Sequence, residues 1–153
     1  MSDLGAEISM IDLGDQRLNR RAEKVLESLG NKPTQSIPAA CGGWDETKAV
    51  YRLFDHPEVS AEAVLAPHIA CTEERLRACP RVLCIQDTTE LDFSTKKGIA
   101  GLGPLNYESR WGMYLHPTLV VTPERVPLGL LDLYSWTREP GSLGEPSDPN
   151  RPL

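Results

Sequence analysis

Asp87 is the residue of this sequence best suited to metal chemistry, because it directly follows an apolar run in the stretch RVLCIQDTTELDF, residues 81–93. A carboxylate at the end of such a run has three common roles: it caps the next turn, pairs with a buried cation, or binds a divalent metal. Thr88 and Thr89 suit the capping role well. If a metal binds, Mg²⁺ takes hard oxygen ligands, and two such ions about 4 Å apart support in-line phosphoryl transfer.

A two-metal site needs several carboxylates that converge on one point. Glu90 and Asp92 are close to Asp87 in the sequence, but in an extended segment Glu90 points to the opposite side from Asp87. Asp92 is too far along the segment to share a metal ion directly with Asp87. We interpret Glu90 and Asp92 as surface or turn charges, so the chain supplies one ligand of a larger set.

A cationic helix face is the second chemical feature. Asp15 can cap a helix that ends at Gly30-Asn31, with apolar residues at helical spacing along its inner side. The opposite face carries Arg17, Arg20, Arg21 and Lys24. By itself such a face is usually solvated surface. The net charge of −6 argues against a chain that coats nucleic acid by bulk electrostatics, but it leaves room for a local basic face.

Two further helices follow the cationic one. The second is capped by Asp45 or Thr47 and ends at His56-Pro57; its expected inner side is Ala49, Val50, Leu53 and Phe54. The third opens at Ser60 and is bent or restarted at Pro67. Residues 12–80 therefore predict a compact helical domain, preceded by an N-terminal extension, residues 1–11.

The period changes to that of strands after Pro80. Residues 82–87 form a near-continuous apolar strand, as expected where both faces of a sheet are covered, and TELDFS, residues 89–94, begins another. The glycine-rich connection contains GIAGLG, which lacks the lysine–serine pair of a phosphate loop; we expect Leu102, Leu105 and Trp111 to order it. Residues 118–122 and 127–136 predict a hairpin around a turn at 123–125. The fold class is α+β with an incomplete sheet at 81–139, and residues 140–153 predict a disordered tail.

The sequence composition indicates where the protein is located and the state of its cysteines. No apolar run approaches the length that spans a membrane, and the acidic N-terminus lacks the pattern of a signal peptide, so we expect a cytoplasmic protein. The four cysteines show no metal-binding spacing, and we expect reduced, mostly buried thiols.

Several segments together resemble the N-terminal part of bacterial cut-and-paste transposases of the Tn-five type. They are LGDQRLNRR (13–21), YRLFDHPEVS (51–60), QDTTELDF (86–93), GLGPL (101–105) and YLHPTL (114–119), and the resemblance covers about residues 12–139. It implies a helical domain that grips the terminal inverted repeat, followed by the first three strands of a ribonuclease-H-like catalytic core. Such cores bind two Mg²⁺ or Mn²⁺ ions through an Asp-Asp-Glu triad, and the active assembly is a dimer on DNA.

The resemblance also assigns residues. Asp87 corresponds to the first carboxylate of the triad and is the implied catalytic residue and metal ligand. A region of DNA contact is implied for Arg17, Arg20, Arg21 and Lys24, with Trp44, Lys48 and Arg52 on the second helix.

The chain departs from the family pattern because it stops before the second Asp and the Glu. We therefore expect a truncated transposase that binds double-stranded DNA of transposon terminal repeats and is catalytically incomplete alone. The alternatives are a non-catalytic regulator or inhibitor of a full-length transposase, and an inert relic. The expected protein partners are a full-length transposase or a second copy of this chain in a dimer. A generic acidic α+β domain without a nucleic-acid role is the remaining alternative.

Overall fold

A computed structural model describes residues 4–96, 98–107 and 109–141 of the protein. The chain forms two compact units, residues 1–80 and 81–153, and each is described by itself. The first unit is helical and the second is a sheet. The predicted disordered tail lies outside the described residues from position 142 onward.

From residue 4 onward the helical unit contains five helices: α1 (Leu4–Ile8), α2 (Gln16–Gly30), α3 (Ile37–Ala40), α4 (Trp44–Phe54) and α5 (Ala61–Arg77). The predicted start and end of α2 are confirmed. The Asp15 side chain accepts hydrogen bonds from the backbone N–H groups of Arg17 and Leu18, at 2.7 and 3.0 Å, and Asn31 caps the other end. Such an N-cap satisfies donors that the first helical turn leaves without a partner.

The core of this unit extends to residues before α2. Its buried cluster contains side chains from α1, from the segment after it, from α2 and from α4: Ile8, Ile11, Leu13, Leu18, Ala22, Val25, Val50 and Leu53. Residues 4–11, set apart above as an extension, are thus part of the helical unit. A buried carboxylate also ties α1 to α5, because Glu7 accepts a hydrogen bond from Arg75 and contacts His68 Nδ1 at 2.7 Å.

The start of α4 differs from the prediction. Neither Asp45 nor Thr47 caps it, since the helix begins at Trp44 after Gly43. Glu46 instead accepts the N–H of Gly42 at 2.6 Å, and the Thr47 hydroxyl donates to the Gly43 carbonyl at 2.9 Å. Gly43, the residue before the helix, adopts a positive φ of 154° that other residues rarely take.

Two other expectations for the helices also change. Phe54, expected on the inner side of α4, is exposed, whereas Val50 and Leu53 are buried as predicted. α5 begins at the predicted cap, with Ser60 accepting from Ala63 N at 3.1 Å, and continues through Pro67 as one helix. The prediction missed α3, a single turn.

The described part of the sheet unit has five strands, where the resemblance implied three: β1 (Leu83–Gln86), β2 (Thr89–Asp92), β3 (Gly103–Pro104), β4 (Trp111–Val121) and β5 (Pro127–Trp136). β4 is central, and every other strand pairs with it in antiparallel fashion. The predicted hairpin is confirmed as β4 and β5, with Arg125 N donating to Thr122 O across the turn. Two register shifts interrupt that pairing, after Thr118 and after Val120.

Burial of the sheet unit departs from the sequence prediction. The apolar β1 is exposed along its whole length, with Leu83 at 51% of its maximum, because it pairs on one edge only and no described helix of this unit covers it. Leu105 is fully buried, as expected of a residue that orders the connection, but Trp111 is 42% exposed. The cysteines are free and none is fully buried; Cys84 is exposed on β1.

None of the described helices has both the length and the apolar character that crossing a membrane requires.

Candidate nucleic-acid interface and the Asp87 position

Asp87 lies in a break of one long strand. β1 and β2 pair with β4 in a single register, from Leu83 opposite Val121 to Asp92 opposite Gly112. This register places Asp87 opposite Pro117 and Thr88 opposite His116, and neither pair belongs to a ladder. Asp87 therefore interrupts the strand and does not end it.

Pro117 accounts for the break. Phe93 N donates to Trp111 O at 2.8 Å, so the odd-numbered residues form the hydrogen-bonded pairs on this edge. The alternation makes Asp87 and Pro117 such a pair, but proline has no N–H to donate to the Asp87 carbonyl. The carboxylate of Asp87 turns back to its own chain, where Oδ1 accepts the Thr88 N–H at 2.9 Å.

Thr88 is held from across the strand. Its hydroxyl lies 2.7 Å from His116 Nδ1, and Gln86 Nε2 donates to the Thr118 hydroxyl at 3.0 Å on the same face of the sheet. His116 Nε2 is buried and has no hydrogen-bond partner among the described residues. These side-chain pairs span the strand break and fix the backbone on both sides of Asp87.

Glu90 and Asp92 lie on the face of the sheet opposite to Asp87 and are both bound to Arg110. Arg110 contacts Glu90 Oε2 at 3.0 Å through its Nη1 and Asp92 Oδ2 at 2.9 Å through its Nε. The Ser94 hydroxyl and N–H, and then Arg110, lower the pKa of Asp92 to about 2. The prediction that neither carboxylate joins Asp87 agrees with this geometry.

A metal site cannot be assembled from these side chains. Across residues 4–96, 98–107 and 109–141, no three His, Cys, Asp or Glu side chains are grouped so that they could hold an ion. Asp87 offers one exposed carboxylate, and its nearest acidic neighbours in sequence are bound to Arg110. The described residues therefore do not fit a two-metal centre on their own.

The cationic face of α2 is present in the helical unit. Arg17, Arg20, Arg21 and Lys24 are all exposed, and their spacing of three, four and seven residues places them on one side of the helix. Leu18, Ala22 and Val25 occupy the buried side. We call these four side chains the α2 stripe.

The members of the α2 stripe differ in their partners. Lys24 Nζ lies 2.6 Å from Glu46 of α4, and this contact raises the pKa of Lys24 and lowers that of Glu46. Arg17 interacts electrostatically with the N-cap Asp15. Arg20 and Arg21 form no ion pair with any described residue. Arg20 and Arg21 are thus the stripe members with the most available charge.

The outer side of α4 carries the other predicted contacts. Trp44 is 71% exposed, Arg52 is exposed, and Lys48 pairs with Asp45 at 2.8 Å. Tyr51 shares this side and is exposed, although the sequence prediction did not include it. Its spacing of seven residues from Trp44 is the signal that could have identified it.

Residues 3–59 match a family model described as transposase DNA-binding. The match supports the N-terminal part of a transposase and DNA as its partner. The four residues of the α2 stripe and the three predicted contacts on α4 all lie inside the matched segment, whereas Asp87 lies outside it. The transposase match therefore concerns the helical unit and does not extend into the sheet unit.

Proposed function

We propose that this chain is the N-terminal portion of a cut-and-paste transposase of the Tn-five type, and that its helical unit binds transposon-terminal DNA. One observation carries the proposal: the exposed α2 stripe lies within the segment that matches transposase DNA-binding domains. Phosphate contacts need only a local cluster of cations, so the acidic balance of the whole chain does not oppose them.

The two helices have different roles in this proposal. The α2 stripe contacts phosphates, chiefly through Arg20 and Arg21, because those guanidinium groups need not give up an ion pair first. α4 presents Trp44, Lys48 and Arg52, side chains that combine an aromatic surface with hydrogen-bond donors. Phosphate contacts fix position, and contacts to base edges give sequence preference. We therefore assign sequence preference to α4.

The sheet unit is proposed as a partial ribonuclease-H-like domain, with Asp87 as the first carboxylate of the Asp-Asp-Glu set for Mg²⁺ or Mn²⁺. Support comes from an exposed carboxylate at a break in the sheet, held by its own backbone and flanked by the Thr88–His116 pair. One carboxylate cannot fix two metal ions. Phosphoryl transfer by this chain alone is expected to be negligible, and the missing ligands would have to come from elsewhere.

A regulatory role is the second candidate. A chain with a DNA-binding surface and an incomplete metal site would occupy transposon ends without cutting them, and it would inhibit a full-length transposase by competition or by forming mixed dimers. An inert relic would do neither. The two are separated by whether the purified chain reduces cleavage by a full-length relative.

The deciding experiment compares binding of the full chain to duplexes that carry terminal repeats from the source genome and to scrambled duplexes of equal length. We expect a preference for a terminal repeat that Trp44→Ala reduces and Tyr107→Ala, an exposed aromatic in the other unit, leaves unchanged. Equal affinity for both duplexes, from a chain whose circular dichroism shows it to be folded, would remove end recognition from the proposal.

A further inference from the structure

Three aromatic rings form a stack on the sheet unit, on the face that also carries Glu90 and His116. Tyr114 and Trp136, which are cross-strand partners, have ring centroids 5.1 Å apart and planes 16° apart. Trp136 and Tyr134 continue the stack at 5.4 Å and 23°. The Arg138 guanidinium lies 4.7 Å from the centre of the Tyr114 ring. The order is therefore Arg138, Tyr114, Trp136, Tyr134.

The two ends of this stack are unequal. Tyr114 is buried, and the cation of Arg138 covers its end by a cation–π contact. Tyr134 is 39% exposed, and among the described residues no further ring or cation stacks on it. Arg138 thus covers one end of the stack, and Tyr134 at the other end is exposed.

We propose that Tyr134 is a stacking site for an unpaired nucleobase of single-stranded DNA. Aromatic side chains on an open sheet face bind bases in this way, because every base has a flat π surface. A base inside a duplex has both faces covered by its neighbours, whereas an unpaired base has its faces free to extend the stack. The site uses no residue of the α2 stripe and shares with the proposed function only DNA as partner.

The polar groups around Tyr134 favour a nucleobase over an apolar side chain as the ligand. Asp132 is exposed two residues before Tyr134 on β5, and it lies on the same face opposite Thr118. The Asp132 Oδ1 accepts the Leu133 N–H at 2.8 Å, and the carboxylate can also accept a hydrogen bond from an N–H group on the Watson–Crick edge of an unpaired base, such as N3–H of thymine. The other acidic residues of this face, Glu90 and Asp92, are already paired with Arg110, which limits repulsion of the strand backbone.

The test uses the full chain and two ligands: a short oligothymidine strand, and a strand of equal length with the same phosphates but no bases. We expect the wild-type chain to bind the thymidine strand roughly 5- to 140-fold more tightly than the abasic strand. Tyr134→Ala should abolish this difference, Tyr134→Phe should keep it, and the matched control Tyr107→Ala, which removes a ring that is 66% exposed outside the stack, should not change it.

Two results would overturn the proposal. One is equal affinity of the wild-type chain for both strands, which needs no variant and so does not depend on Tyr134→Ala folding. The other is a base preference that survives Tyr134→Ala; its loss in Trp44→Ala would then place the base on α4. Arg20→Ala combined with Arg21→Ala should weaken duplex binding and leave the base preference intact, so failure of the α2 stripe and failure of this site are distinguishable.

Discussion

Replacing Arg20 and Arg21 together by alanine tests the α2 stripe through the salt dependence of DNA binding. Each phosphate neutralised by a side chain contributes about 0.9 to the slope of log affinity against log salt. Arg20 and Arg21 have no acidic partner among the described residues, so each is expected to contribute a full contact. Lys24 and Arg17 are less suitable for this test because they interact with Glu46 and Asp15.

The double variant should therefore lower the magnitude of the slope by about 1.8. Over a fourfold rise in salt, the wild-type chain would lose roughly 12-fold more affinity than the variant. The assay is fluorescence anisotropy with a labelled terminal-repeat duplex at several salt concentrations. Arg81→Ala with Arg125→Ala, an equal change in charge at exposed positions that lie outside the stripe and form no ion pair with any described residue, is the control. A double variant with the wild-type slope would show that the α2 stripe does not contact phosphates.

Three further predictions concern stability. Gly112→Ala should destabilise the sheet unit by about 1–3 kcal/mol in chemical denaturation, because the added methyl group would overlap the Leu91 carbonyl; an unchanged midpoint would contradict the close approach of β2 to β4. Asp92 has a pKa lowered to about 2, chiefly by Ser94, so its stabilising effect is complete above the unfolded-state pKa near 4 and is lost as pH falls from about 4 to 2. Asp92→Asn should flatten the pH dependence of unfolding in that window; a retained acid transition would assign it to another group. Asp15→Ala should cost about 1 kcal/mol by removing the N-cap of α2, and a thermal unfolding midpoint equal to wild type would refute that cap.

Local signals predicted the elements that local forces determine. The Asp15 cap and the apolar spacing were sufficient for α2, and the turn between β4 and β5 was sufficient for the hairpin. The start of α4 was missed because its N-cap residue is Gly43, which has no side chain, whereas the sequence prediction looked for a polar capping side chain and chose Asp45 or Thr47. Exposure of β1 could not be predicted, because an apolar sequence does not show whether another element covers it.

The candidate sites also differ in whether they depend on local sequence or on contacts between distant segments. The α2 stripe follows from helical spacing, so the sequence alone identified it. The stack of Tyr114, Trp136 and Tyr134 depends on the cross-strand register of β4 and β5, and two register shifts in that pairing make it impossible to count from the turn. The break at Asp87 likewise depends on Pro117, a residue far along the chain.

Pro117 also helps to fix the register between β4 and the segment 83–92. If the segment 83–92 shifted along β4 by two residues, its side chains would remain on the same faces of the sheet. A residue of β1 or β2 would then lie opposite Pro117 and lose a hydrogen bond, whereas Asp87 would lie within a continuous ladder. The native alignment places the missing hydrogen bond at Asp87, between β1 and β2. The position of the carboxylate in the sheet therefore depends on residue 117 as well as on residue 87, and a substitution at Pro117 would move Asp87 although residue 87 itself is unchanged.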